Sequence, residues 1–78
     1  MKRPKKIDWN DRATALIKRE MKQNGVSYSD LVERLAKLGV ATNRLALTNK
    51  INRGEFVTAF FLQALEAINV STLRLKVD

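Results

Sequence analysis

The side chains best suited to chemistry lie in one short stretch of the chain, residues 42–54. Helical spacing puts amide, hydroxyl and cationic groups on its outer side, and such groups can donate to phosphates or read base edges. The candidates are Arg44, Thr48, Asn49, Lys50, Asn52 and Arg53. We expect Asn49 and Lys50 to contact bases, because asparagine pairs with adenine through two hydrogen bonds and lysine reaches guanine acceptors. Arg44 and Arg53 suit phosphates, which require only charge and reach.

Each of these residues also has a structural interpretation. Any exposed helix carries polar side chains, so the whole set can equally be a solvated helix face. Thr48 can bond back to a carbonyl of its own helix, and Asn52 can help to end that helix.

The composition removes most catalytic chemistry. The chain has 78 residues with no cysteine and no histidine, so disulfides, thiolate metal sites and an imidazole proton shuttle are excluded. Its 8 acidic residues are scattered at helix caps and faces rather than clustered, whereas a carboxylate metal site needs several together. Serine or lysine chemistry stays formally open. We expect no enzymatic activity, no metal and no cofactor.

The charge of the chain favours a polyanionic partner. The 15 basic and 8 acidic residues give a net charge of +7, which suits nucleic acid or an anionic membrane surface. Much of the excess lies in residues 41–55 and in a basic arm, residues 1–6, that Pro4 and charge repulsion should keep disordered. This arm can enter a minor groove or follow phosphates, or it can simply aid solubility. Its basic residues are Lys2, Arg3, Lys5 and Lys6.

Length and hydropathy predict a single cytoplasmic domain. A chain this short has room for one modest core. It contains no apolar run near the roughly 18 residues of a membrane span, and no apolar stretch follows the arm as in a signal peptide. We therefore expect no membrane partner, and we divide the chain into the arm, a helical domain over residues 7–70 and a tail over residues 71–78.

Four helices must position the polar groups. The second is the best marked, because Ser27 can cap it and Asp30 follows in capping-box spacing. Expected bounds run from an Asp8 cap to Gly25, from Tyr28 to Leu38, from about Thr42 to Gly54, and from about Thr58 to Asn69. The expected core consists of Trp9, Ala13, Leu16, Ile17 and Met21, then Leu31, Val32, Leu35 and Leu38, then Leu45, Ala46, Leu47 and Ile51, and finally Phe61, Leu62, Leu65 and Ile68.

The remaining aromatic residues are also expected to be structural. Phe56, Phe60 and Phe61 can form a stacking platform for single-stranded nucleic acid only if they are exposed beside basic groups. We place them in the core instead, with Phe61 the most secure of the three.

The tail shows a different pattern. Leu73, Leu75 and Val77 alternate with polar residues, which is typical of a half-buried strand. Such a strand can pair with residues before the first helix, or with its own copy in a homodimer. The alternative is a tail whose leucines pack on the helices.

Residues 15–70 resemble the helix-turn-helix domains of lambda-repressor (Xre) type. The matching segments are Leu16–Ser27, Asp30–Val40, Ile51–Gly54 and Phe61–Val70. This resemblance implies an all-α bundle of four or five helices in which the third reads double-stranded DNA. The whole chain also looks like a small bacterial domain family of unknown function.

Two features depart from the repressor pattern. Between Val40 and Gly54 there are about three residues more than usual, so either the third helix starts later or the turn is longer. Tyr28 stands where many of these regulators have a glutamine that touches phosphate, and its hydroxyl can still donate. The amides that Ser27 caps can also face a phosphate.

These observations together predict a small bacterial or phage-type transcription regulator that binds double-stranded DNA as a dimer, with Leu73, Leu75 and Val77 in the dimer interface. The alternative is a protein-interaction module built on the same helices. Attachment to a membrane through the arm is a weaker interpretation, because a single polybasic signal anchors poorly. RNA binding stays open.

Overall fold

The computed structural model describes residues 8–76, which form four α-helices joined by short turns. The helices are α1 (Trp9–Gln23), α2 (Tyr28–Lys37), α3 (Arg44–Arg53) and α4 (Thr58–Ile68). No residue of the described range lies in a strand. The predicted all-α class is confirmed.

Local sequence signals fix where the first two helices begin. The Asp8 side chain accepts hydrogen bonds from the amides of Asn10 and Asp11. Ser27 and Asp30 form the predicted capping box, in which each side chain accepts from the other residue's amide at 3.0 Å. The two reciprocal bonds satisfy amides that a helix start otherwise leaves unpaired.

The third helix begins two residues later than the expected start near Thr42. Asn43 caps it by accepting from the amide of Ala46 at 2.8 Å, a capping role that the sequence prediction did not assign. The turn between α2 and α3 therefore spans residues 38–43.

The core lies where α3 and α4 each pack against both α1 and α2. Its largest fully buried side chains come from all four helices, and they are Ile17, Leu31, Leu35, Leu47, Ile51 and Ile68. The expected pairing of Leu47 with Ile51 on the buried side of α3 is confirmed. Because that side faces the core, the opposite side of α3 faces solvent.

Several expected core residues are on the surface. Trp9 is 68% exposed, Leu45 72% and Leu62 60%, and Leu38 is also exposed. Leu45 lies two residues from buried Leu47, and Leu62 lies two residues from both Phe60 and Ala64, so each points away from the buried face of its helix. Trp9 is the first residue of α1 and has no preceding turn to pack against.

The three phenylalanines also differ from expectation. Phe60, rather than Phe61, is the most buried, while Phe56 and Phe61 pack half-buried against the core. The rings of Phe56 and Phe61 stack with centroids 6.0 Å apart.

The tail follows α1 without forming a strand. Arg12 donates to the carbonyl of Leu75 at 2.8 Å, and Arg19 donates to the carbonyl of Arg74. Leu73 is half-buried against the core. Up to Lys76 no strand forms. The packed-tail alternative holds for Leu73, whereas Leu75 is exposed and Val77 lies outside the described residues.

Candidate nucleic-acid interface

The C-terminal end of α3 is fixed tightly to α1. Gly54 is buried and left-handed, with φ at 67°. A Cβ added there would overlap the backbone carbonyl of Asn10. The hydroxyl of Thr14 also donates to the carbonyl of Ile51. These contacts fix the direction in which the solvent side of α3 points.

That solvent side carries Leu45, Asn49 and Asn52, all exposed. Asn49 and Asn52 offer both a donor and an acceptor, and Leu45 offers an apolar surface between the N-terminal end and Asn49. Leu45 was expected in the core, so it is absent from the predicted candidate residues. Leu45 precedes Asn49 by four residues, and this spacing places the two side chains on the same face of a helix.

Lys50 does not share this face with Asn49. Its ammonium group lies 4.4 Å from the centroid of the Phe60 ring on α4, a cation–π contact that holds the side chain at one flank of α3. The two residues predicted to contact bases are thus separated. Arg53, three residues further on, is exposed and lies toward the same flank as Lys50.

The other flank carries Arg44 and Thr48. The Thr48 hydroxyl donates to the carbonyl of Arg44 at 2.7 Å, which is the expected structural role of bonding back within its own helix. Arg44 is exposed at the first position of the helix.

Arg44 opens onto a groove of about 450 Å³ that we call the basic groove. Three helices meet around it, and buried Met21 and Val26 supply apolar lining. Its polar lining residues are Lys18 and Lys22 of α1, Ser27 and Tyr28 at the start of α2, and Arg44 of α3. The structure therefore brings three of the predicted site residues together and adds two lysines that sequence analysis had not singled out.

The electrostatics of the basic groove favour an anion. Three cationic side chains converge beside the N-terminal end of α2, which carries a partial positive charge. Burial raises the pKa of the Tyr28 hydroxyl, so it stays protonated and able to donate. One carboxylate, that of Asp30, lies near the groove in the first turn of α2. Hydrogen bonds from Ser27, first from its backbone amide, lower the pKa of Asp30 and keep it charged.

A second groove lies at the opposite end of α3, and we call it the apolar groove. It measures about 420 Å³ and includes Gly54 in its lining. Its side-chain lining is mostly aromatic and aliphatic, namely Trp9, Ala13, Leu16, Phe56, Phe61 and Leu75, with Asn10, Arg12 and Thr58 among the polar residues.

Across residues 8–76, no three acidic side chains lie close enough together to hold a metal ion. Within that range, no helix has both the length and the hydropathy to cross a membrane. The predicted contacts of Lys2, Arg3, Lys5 and Lys6 lie outside the described residues.

Comparison with known proteins gives a family but no activity. No curated protein and no solved structure matches the chain. A family model described as Domain of unknown function (DUF6471) matches residues 9–73, which covers all four helices and the start of the tail. The expected likeness to a domain family of unknown function is confirmed, and the chain belongs to the DUF6471 family.

Proposed function

We propose that this protein binds double-stranded DNA with α3 in the major groove, as a small transcription regulator of helix-turn-helix type. The observation that carries the proposal is the basic groove, where Lys18, Lys22 and Arg44 converge from α1 and α3 beside the start of α2. Phosphate contacts of this kind supply most of the affinity and position a protein on the duplex.

The solvent side of α3 suits base readout. A helix of 10 residues is about 15 Å long, and the major groove, about 12 Å wide, admits such a helix. Asn49 and Asn52 match the donor and acceptor pattern of adenine, and Leu45 matches the methyl group of thymine. In this proposal the outer face of α3 contacts bases, and Lys50, which was expected to contact a base, contacts a phosphate instead.

The flanks of α3 suit the two DNA strands. Arg44, with the two lysines of the basic groove, would contact one backbone. Lys50 and Arg53, toward the other flank, would contact the second. The long turn over residues 38–43 is compatible with this arrangement, because α2 still packs directly against α3.

Recognition of a palindromic site by one helix per half-site calls for a homodimer. Of the residues expected in its interface, Leu73 packs toward the core, Leu75 is exposed, and Val77 lies outside the described residues. Leu75 is therefore the residue of that set best placed for a dimer contact.

The apolar groove supports a second function, a protein-interaction module on the same helices. Exposed aromatic and aliphatic side chains grouped around one groove commonly mark a protein contact. In that case the basic groove would serve an acidic protein rather than DNA.

A DNA titration of the full chain tests the proposal. Amide NMR shifts recorded with a mixed-sequence duplex at two salt concentrations should concentrate at residues 18–30 and 44–53, and should weaken as salt rises. Replacing Lys18 and Lys22 by alanine should flatten the slope of log K against log salt by about 2, since each phosphate contact contributes about 0.9.

Lys37→Ala is the matched control, because Lys37 is exposed at the opposite end of α2. It should leave the slope within about 0.5 of the native value, because a charge outside the contact displaces few counterions. Equal slopes for the double variant and this control would contradict the basic groove as a phosphate site. An absence of shifts at low salt would favour the protein-interaction module.

A further inference from the structure

The apolar groove carries an unusual share of the exposed apolar surface. Trp9 and Leu75, both in its lining, are 68% and 61% exposed. Val57 and Leu62 are exposed as well. Val57 lies between lining residues Phe56 and Thr58, and Leu62 follows Thr58 by one helical turn, so both border the groove.

The floor of this groove is rigid. Phe56 stacks on Phe61 and also contacts Phe60, with centroids 5.4 Å apart. Because Phe60 is buried in the core, the aromatic cluster is continuous with the core of the domain. A preformed apolar floor with exposed aromatic and leucine side chains at its edge is the usual form of a protein contact site.

The charges around the groove do not suit DNA. Arg12 is held in place by the Leu75 carbonyl at 2.8 Å and by the Trp9 ring at 5.7 Å. Glu55 lies next to Gly54 and accepts from the Asn10 side chain at 3.4 Å. The groove thus has one fixed cation and one acid at its edge, in contrast to the cations of the basic groove.

We propose that the apolar groove is the contact through which two copies of this chain form a symmetric dimer. In a two-fold contact each patch meets its own copy, so a patch with both charges can pair Arg12 with the partner's Glu55 and Glu55 with the partner's Arg12. Such reciprocal pairing selects a second copy over a partner of one charge sign.

The dimer also fits the arrangement of α3, and this step rests on the proposed DNA-binding function. Gly54 lines the apolar groove and Arg44 lines the basic groove, so the two grooves lie at opposite ends of α3. Pairing at the apolar grooves brings the two C-terminal ends of α3 to the centre. The two basic grooves then lie at the outer, N-terminal ends of the paired α3 helices, one on each side of the two-fold axis, where each can contact DNA.

Sedimentation without DNA tests the contact directly. The native chain should form dimers as concentration rises toward about 1 mM, where even a millimolar complex is half formed. Trp9→Ser should weaken the dimer at least tenfold, and Leu75→Ser gives a second variant of an exposed side chain. Leu45→Ser, a change at the other end of α3, should leave dimerisation unchanged, and circular dichroism melts would check that each variant folds.

Charge exchange tests the two-fold symmetry. Arg12→Glu and Glu55→Arg should each lower self-association at least tenfold, because like charges then face each other. A mixture of the two variants, with one labelled for fluorescence-detected sedimentation, should form heterodimers, because both cross-pairs are again opposite in sign.

Three results would overturn the proposal. They are a native chain that stays monomeric, a Trp9→Ser variant that dimerises as the native chain does, and a charge-exchange mixture that forms no heterodimer. None of these measurements contains DNA, so their failure leaves the salt-slope test of DNA binding intact. A failure of the salt-slope test likewise leaves these measurements of the dimer intact.

Discussion

The two ends of α3 are built differently. At the C-terminal end, Gly54 is buried against the backbone of Asn10, and the Thr14 hydroxyl holds the carbonyl of Ile51. At the N-terminal end, the cap is a single exposed asparagine, Asn43, and Arg44 opens onto the basic groove. One end is fixed by packing against the protein, and the other is left accessible to a ligand.

This difference shows how a small domain can present a helix. The buried contacts at the C-terminal end fix the direction of α3 against α1, so its first residue, Arg44, needs no packing of its own and can carry charge. Burying the cations of the basic groove would be costly, so the ligand-accessible end must also be the solvated end. Substitutions at the two ends should therefore have different consequences.

Gly54→Ala is expected to have the largest effect. The new Cβ would overlap the Asn10 carbonyl, and the backbone would also hold alanine in a left-handed conformation. We expect a loss of at least about 3 kcal/mol in the free energy of unfolding, from the clash and the backbone strain together. Urea denaturation followed by circular dichroism measures it.

Gly39→Ala is the matched control for this substitution. Gly39 has φ of +86° with no atom near the added Cβ, so it isolates the backbone strain of about 1 to 2 kcal/mol. Equal losses for the two variants would mean that the close approach of Gly54 to Asn10 adds nothing to the backbone strain, and the contrast between the two ends would fail.

The ends of the helices were the part of the fold most open to prediction from sequence. The Asp8 cap, the Ser27 and Asp30 capping box, Gly54 and Asn69 act through hydrogen bonds within a few residues, or through a single left-handed residue. Such signals need no knowledge of the rest of the molecule. The start of α3 was placed two residues early, near Thr42, because Asn43 was not identified as the cap.

Burial was harder to predict where apolar residues occur on both sides of a helix. Buried and exposed residues are interspersed along α4 although nearly all are apolar, so the sequence pattern alone did not separate Leu62 from Phe60. The neighbouring helices decide which side is buried. The same reason explains the exposure of Leu45.

The candidate site was predictable only in part. The polar side of α3, including Arg44, follows from helical spacing within one segment. Ser27 was identified as a helix cap, and Tyr28 through the resemblance to repressor-type domains. Lys18 and Lys22 lie on another helix and gain their importance only when α1, α2 and α3 meet. The available signal was that Lys18 and Lys22 are four residues apart and border Met21, which was expected in the core.

Asn43→Ala tests the accessible end of α3. Removal of the side chain leaves the amide of Ala46 without its 2.8 Å hydrogen bond. We expect a loss of about 1 kcal/mol in the free energy of unfolding and faster hydrogen exchange at the Ala46 amide. Both are measured on the free protein.

Asn49→Ala provides the comparison for that variant. It makes the same chemical change at an exposed position inside α3, where alanine favours the helix by up to about 0.7 kcal/mol. Stability should therefore stay level or rise. A loss equal to that of Asn43→Ala would show that α3 depends on its exposed polar groups in general and not on the cap.

The smallest expected effect concerns pH at the start of α2. Hydrogen bonds from Ser27, through its backbone amide and then its side chain, lower the pKa of Asp30 in the folded protein. The charged carboxylate therefore stabilises the fold fully above its unfolded-state pKa of about 3.9, and this contribution is lost as pH falls through the lower folded-state pKa. Acid should therefore loosen the start of α2, which lines the basic groove.

Asp30→Asn supplies the measurement. The difference in unfolding free energy between the native chain and this variant should be constant near neutral pH and should shrink below pH about 4. In the native chain, the NMR titration of the Asp30 side chain should give a pKa below that of an unfolded aspartate. A difference that stays constant into acid would remove Asp30 as the titrating group, and the pH response would then belong to carboxylates elsewhere in the fold.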